Sequence, residues 1–362
     1  MAEQARIERA SVAAYRIPTE APESDGTLEW SSTTLVVVRL EAGGRRALGY
    51  GYADRATASL IHERLLPLVE GRDAHDAGAV YQDLVRSIRN LGRPGVASMA
   101  ISAVDAALWD LRAKLLQCSL ADLLGTVHET MPVYGSGGFT STSIDELQRQ
   151  LRDWAESGIG MVKMKVGREP GRDVERVRRA REALGDRVAL FVDANGAYGR
   201  KQALGFAQQF AQSAVAWFEE PVSSDDLAGL AFVRERVPMA VSAGEYGYDL
   251  PYFRRMLEAQ AVDVLQPDAT RCGGISGFLA AAALAEAHAI PVSSHTAPML
   301  HLAPCCAAPA AVHLEYFHDH VRIERMLFEG FREPKDGAMA PDRARPGLGI
   351  ELRTSDAERF RL

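Results

Sequence analysis

The spacing of apolar positions divides the chain in two. In the first third, apolar and β-branched residues run through 7–17, 33–40 and 47–53, and the second run ends at a Gly43-Gly44 turn. These runs predict three strands of one antiparallel sheet. Helical patterns follow over 56–69, 77–91 and 96–116; the last repeats apolar residues at Ile101, Val104, Leu108, Leu111 and Leu115, the period of a buried helix face. The result is an α+β unit. Between its first two strands, residues 18–32 (PTEAPESDGTLEWSS) are rich in turn formers and predict a long loop, functional or disordered.

From Met131 the pattern changes to eight short apolar runs, 132–135, 161–166, 188–193, 215–219, 239–243, 262–266, 290–294 and 312–316, separated by helical segments. Alternating β and α units imply a parallel sheet with crossover helices, and eight of them imply closure into a (β/α)8-type barrel. Polar residues recur where the runs end. Asp193, Glu219, Glu245, Asp268 and His295 follow one another at intervals of 26, 26, 23 and 27 residues. This places one ionisable group per unit on the C-terminal face, where barrel active sites lie.

Length and composition narrow the class. A chain of 362 residues, 47% of them hydrophobic, has material for about two domains with full cores. The 48 Asp+Glu outnumber the 41 Lys+Arg, giving a net charge of -7, and no basic stripe interleaved with aromatics is present. A nucleic-acid surface is not expected. The longest apolar run, 277–292, contains Glu286 and His288 and is not a membrane span. Residues 1–17 lack the features of a secretory signal, and Cys118, Cys272, Cys305 and Cys306 make no disulfide framework. A cytoplasmic protein with reduced thiols is the expectation.

Asp193, Glu219 and Glu245 would end three neighbouring strands and converge on one arc of the rim, where three uncompensated carboxylates repel one another. A divalent cation removes the conflict. An all-oxygen donor set with room for water and substrate selects Mg2+, with Mn2+ as the substitute. Lys163 and Lys165, two apart in an apolar run, share a face and are expected in the barrel mouth, where they call for an anionic substrate. Asp268 and His295 end adjacent strands, so the carboxylate can orient the imidazole, and His295 would face Lys165 across the mouth. Glu315 in the last run is expected to carry a proton and to donate it to a substrate carboxylate. Glu220 should turn away from Glu219, and His313, His318 and His320 are expected in packing and surface roles.

Seven motifs now stand in order: Lys163-Met164-Lys165, Asp193-Ala194-Asn195, Phe218-Glu219-Glu220-Pro221, Ala243-Gly244-Glu245, Gln266-Pro267-Asp268, Ser294-His295-Thr296 and Glu315. Together they resemble the enolase superfamily, and within it the mandelate racemase subgroup, over nearly the whole chain. The resemblance implies a modified TIM barrel, (β/α)7β, with an N-terminal α+β capping domain. The domains would be residues 1–130 as the cap, 131–325 as the barrel and 326–362 as a segment returning to the cap. It further implies that Asp193, Glu219 and Glu245 hold Mg2+ and that Lys165 and the His295–Asp268 dyad are acid/base catalysts on opposite faces. Lys163 and Glu315 would bind the substrate carboxylate, with Asn195, Tyr52 and Trp30 as further substrate contacts. The implied chemistry is removal of the proton α to a carboxylate, giving an enediolate, often in a homo-oligomer. Loss of water then yields a dehydratase; reprotonation on the other face yields a racemase or epimerase. The segment 18–32 holds Glu20, Glu23, Asp25 and Glu29, with Trp30 its single aromatic residue. That composition points to a hydroxylated monoacid sugar, hence a dehydratase, with the racemase as the alternative. A protein keeping the fold without turnover would lack a base or a metal ligand, and none is missing.

Overall fold

The computed structural model describes residues 5–362. Three strands, β1 (Arg9–Ser24), β2 (Glu29–Ala42) and β3 (Arg45–Tyr52), form an antiparallel sheet in that order. The segment 18–32, expected as a loop, is mostly strand. Pairing continues through Pro18↔Ser32, slips, and resumes at Glu23↔Trp30. β1 is an edge strand, so Pro18 and Pro22 are tolerated there, and the slip absorbs the turn formers. A tight turn closes this hairpin arm: the Asp25 carboxylate accepts from the N–H groups of Thr27 and Leu28, both at 2.7 Å.

The helix Val96–Leu115 lies across this sheet and is buried along nearly its whole length. Small side chains let it approach. A Cβ on Gly49 of β3 would overlap the backbone of Ala103 and Ala107. The same helix ties the cap to the barrel: Asp105 accepts from Ser276 N (2.9 Å) and Ser276 Oγ (2.7 Å), at the start of the helix Gly274–Ala287.

Eight parallel strands follow: β4 (Met131–Gly137), β5 (Met161–Lys165), β6 (Ala189–Asp193), β7 (Val215–Glu219), β8 (Ala240–Ala243), β9 (Val264–Leu265), β10 (Val292–Ser293) and β11 (Ala311–Phe317). They pair in sequence order, and β11 closes the ring on β4. In register, Lys165 stands beside Asp193 and Asp193 beside Glu219, so the strand-end polar residues share one level. Below them the barrel is plugged by Tyr134, Phe191, Trp217 and Val264. His313 packs among these rings and bonds Ser293 Oγ at 2.9 Å. The last residues lie against both units: Gly347 O accepts from Leu120 N and Ala14 O from Leu362 N in the cap, and Ala338 and Met339 pair with Pro132 and Met131 of β4. Among the described residues no helix is long and apolar enough to cross a membrane, and the four cysteines are free.

Candidate active site

The rim residues converge. Asp193, Glu219 and Glu245 bring one carboxylate oxygen each to within 4.8 Å of one another, and all three are buried. Lys163 Nζ donates to both Glu219 oxygens (2.6 and 2.7 Å) and pairs with Glu315 at 2.8 Å, while Lys165 pairs with Asp193. Gln266 Nε2 (2.9 Å) and Trp217 Nε1 (3.2 Å) also donate to Glu219. Burial and the neighbouring Asp193 push the Glu219 carboxyl up to about 8. Its ionised form therefore needs more positive charge than the lysines supply.

Around this floor, Asp193, Glu219, Glu245, Asp268 and Glu315 face Lys163, Lys165 and Arg271. With Glu219 ionised and the His295 imidazolium included, five carboxylates meet four cations, a negative excess that a divalent ion offsets. The donor chemistry and the charge both fit a hard cation at the Asp193, Glu219 and Glu245 oxygens. Glu220 does not add to the count, since burial and the adjacent Glu245 raise its pKa well above the carboxylate range. Nor does it turn to an opposite strand face. The strand ends at Glu219, Glu220 has φ +37°, and its side chain is buried beside a second cavity of about 570 Å3 beyond Asn195 and Tyr246.

Asp268 Oδ2 lies 2.8 Å from His295 Nδ1, and His295 Nε2 lies 3.2 Å from Glu245 Oε2. Burial disfavours the imidazolium, but Glu245 and the Asp268 hydrogen bond outweigh it and hold its pKa up to about 10. Burial also works against ionisation of Glu315, yet Lys163 and His295 hold that carboxyl down to about 2. Glu315 is thus an ionised acceptor, taking the Thr296 N–H at 2.8 Å, and not the protonated donor expected from the sequence. The reason is its direct contact with Lys163.

A cavity of about 330 Å3 opens above this floor and is lined by Lys165, Asn195, Glu245, His295 and Glu315 from the barrel. Trp30 and Tyr52 line it from the cap. Lys163 does not line it and lies beneath, 5.3 Å from the Tyr134 ring centre. Three of the four hairpin carboxylates are engaged elsewhere: Glu23 accepts from Trp30 Nε1 at 2.9 Å, Glu29 pairs with Arg168, and Glu20 lies near His318. Asp25 lines the cavity but is occupied by its own turn.

Two residues escaped the sequence reading. Arg271 lines the cavity, donates to Glu245 Oε1 at 3.1 Å and lies 3.5 Å from Asp268, joining the carboxylate trio to the dyad. Its position three residues after Asp268, on the same turn, was the available signal. His320 also lines the cavity and is not a surface residue. No spacing rule reveals it, because it reaches the site from the helix His318–Leu327 after the last strand.

Fold and site together define a capped β/α barrel with a carboxylate metal site and a cavity lined by two ionisable groups, Lys165 and His295. Comparison with known proteins gives that class its family. Residues 10–125 match the model of the mandelate racemase / muconate lactonizing enzyme N-terminal domain, and residues 146–357 match that of the enolase C-terminal domain-like family. The chain belongs to the mandelate racemase / muconate lactonizing enzyme family of the enolase superfamily. It is similar to a mandelate racemase/muconate lactonizing enzyme-like protein from Rubrobacter xylanophilus, 52% identical with a TM-score of 0.96, covering 99% of this chain and 100% of that one. A racemase from Streptomyces coelicolor with bound magnesium is 31% identical, TM-score 0.93, covering 98% and 100%. L-talarate/galactarate dehydratase of Salmonella typhimurium is 32% identical over 359 residues, 96% of this chain and 89% of its own.

Proposed function

We propose that this protein is a Mg2+-dependent dehydratase of a monocarboxylic sugar acid. The observation that carries the reading is the placing of Lys165 and His295 on one cavity with Glu245, the member of the carboxylate trio that lines it. The dehydratase relative supports the dehydration, and the racemase relative with bound magnesium supports the metal. Bound at Asp193, Glu219 and Glu245, Mg2+ supplies fixed positive charge where negative charge develops on the substrate carboxylate. Lys165 serves one face of the α-carbon and His295 the other, so the configuration at that carbon selects which of them takes the proton. Asp268 fixes the His295 ring through Nδ1, and Nε2 lies 3.2 Å from Glu245, a carboxylate that a cation bound at the trio would take, freeing Nε2 for proton transfer. Lys163, held under the floor, adds positive charge beside Glu219 and Glu315. Departure of the β-hydroxyl as water, with a proton returned by an acid on its face, gives a 2-keto-3-deoxy acid.

The cavity supports a monoacid. Among the described residues, Lys165 and Arg271 are the Lys and Arg side chains that line it, both paired with carboxylates of the site, which leaves neither free to meet a second substrate carboxylate. Hydroxyl recognition rests on Ser32, Thr34, Tyr52 and His320, not on the hairpin carboxylates. One observation favours racemisation as a second reading: Leu28, Trp30 and Phe317 give the cavity an apolar wall. Incubation in D2O with Mg2+ and a stereochemically complete pentonate and hexonate panel separates the two. A 2-keto-3-deoxy product is expected; deuterium in recovered substrate without product selects the racemase, and the absence of both refutes the sugar-acid dehydratase.

A further inference from the structure

Of the polar groups that line the cavity, His320 has no step of the reaction assigned to it. His320 is buried with its ring stacked on Tyr52, centres 3.4 Å apart and planes 12° from parallel, and it meets Phe317 edge to face at 4.9 Å. Tyr52 Oη donates to the His320 carbonyl at 3.4 Å. The ring is therefore clamped from the cap and from the barrel. Thr296 and Ala297, the two residues after His295, both have positive φ (+52° and +39°). This paired left-handed turn aims successive N–H groups at Glu315 Oε2 (2.8 Å) and His320 Nδ1 (3.4 Å). Non-glycine residues adopt that conformation only when the surroundings impose it.

An N–H donated to Nδ1 requires the lone pair there, which in a neutral imidazole puts the proton on Nε2. Burial and the nearby His295 keep the ring neutral. Among the described residues no group bonds Nε2, and the ring lines the cavity. His320 thus presents a fixed N–H donor beside His295, tied to a backbone segment two residues from that catalyst.

We propose that His320 determines specificity by donating its Nε2–H to the β-hydroxyl of the substrate, so that the site recognises a 2,3-dihydroxy acid on the side of His295. This rests on the sugar-acid reading. A donor in a buried, preorganised ring discriminates against an analogue lacking its acceptor, because Nε2–H is then left unpaired. Tyr52 acts through His320 by holding the ring.

The test compares α-proton abstraction in D2O with Mg2+, read as deuterium exchange together with any 2-keto-3-deoxy product, for the panel acid that reacts fastest and for its 3-deoxy analogue. The wild type is expected to favour the hydroxylated acid by about tenfold or more in kcat/KM. His320→Phe keeps a stacking ring but no donor, and is expected to bring that ratio close to one. His320→Gln, which offers an amide N–H near the Nε2 position, should recover most of it. A ratio unchanged in His320→Phe, with both rates falling together, marks a packing role and overturns the proposal. Should the Phe variant not fold, a wild-type ratio near one overturns it equally. Neither exchange nor 2-keto-3-deoxy product with any panel acid refutes the sugar-acid reading and the His320 assignment with it; turnover with an unaltered ratio refutes the latter alone.

Discussion

Replacing Gly26 with alanine tests whether the hairpin tip forms the working wall of the cavity. Gly26 packs on the barrel rim: a Cβ there would overlap Ala194 O, stand 2.8 Å from Val166 O and 3.0 Å from Ala197 Cβ. The tip is docked by Thr140 N to Ser24 O (2.8 Å), Ser24 Oγ with Thr140 Oγ1 (2.6 Å) and Thr140 Oγ1 to Asp25 O (3.0 Å). Trp30 adds an edge-to-face contact with Phe139 at 5.6 Å. At about 1 kcal/mol for each hydrogen bond and about 1 for the aromatic pair, roughly 4 kcal/mol holds the arm down. Relieving the overlap needs a displacement of about 1 Å, since carbon and oxygen are repelled well outside that distance, and this stretches all three hydrogen bonds together. The arm carries Asp25, Leu28 and Trp30 into the cavity, so kcat/KM should fall by roughly 10- to 100-fold. Limited proteolysis supplies a readout that needs no substrate: cleavage within residues 24–30 should accelerate while the thermal midpoint hardly moves, because the tip lies outside the main core. Wild-type kcat/KM together with wild-type proteolysis would refute the argument.

Gly49→Ala should behave oppositely, destabilising the whole fold by about 2–3 kcal/mol through overlap with Ala103 and Ala107, read as a lower denaturant midpoint. Lys163→Met strips the cation from buried Glu219 and Glu315 and should cost about 3–5 kcal/mol in EDTA, with a smaller loss in Mg2+; equal losses in both would argue against a cation at Glu219. Glu324, which accepts from Tyr50 Oη at 2.6 Å, is raised by burial from an ordinary value near 4.5 to about 8. The folded state then keeps a proton that the unfolded chain releases, so this group's contribution is full below about pH 4.5 and is lost as pH rises towards 8, at about 1.4 kcal/mol per pH unit. Glu324→Gln should flatten that slope in urea titrations between pH 5 and 7.5; parallel slopes for the two proteins would contradict it.

The apolar pattern marked all eight barrel strands to within a few residues, because each must be buried on both faces and ends where the chain turns at the rim. The strand-end polar residues were legible for the same reason, and Asp193, Glu219, Glu245, Asp268 and His295 do meet at one level. The hairpin was not. Its prolines and acidic residues resemble a loop, and only pairing with β2 shows that an edge strand tolerates them.

By itself, then, the sequence determined the order of the elements and which side chains stand on the catalytic face, since both follow from local periodicity. It did not determine what each charged group faces. Lys163 sank beneath the cavity, Glu315 became an ionised acceptor, Glu20, Glu23 and Glu29 turned to other partners, and Arg271 and His320 entered the site. Protonation, burial and hydrogen-bond partners depend on groups distant in the chain, and only closure of the barrel under its cap brings those groups together.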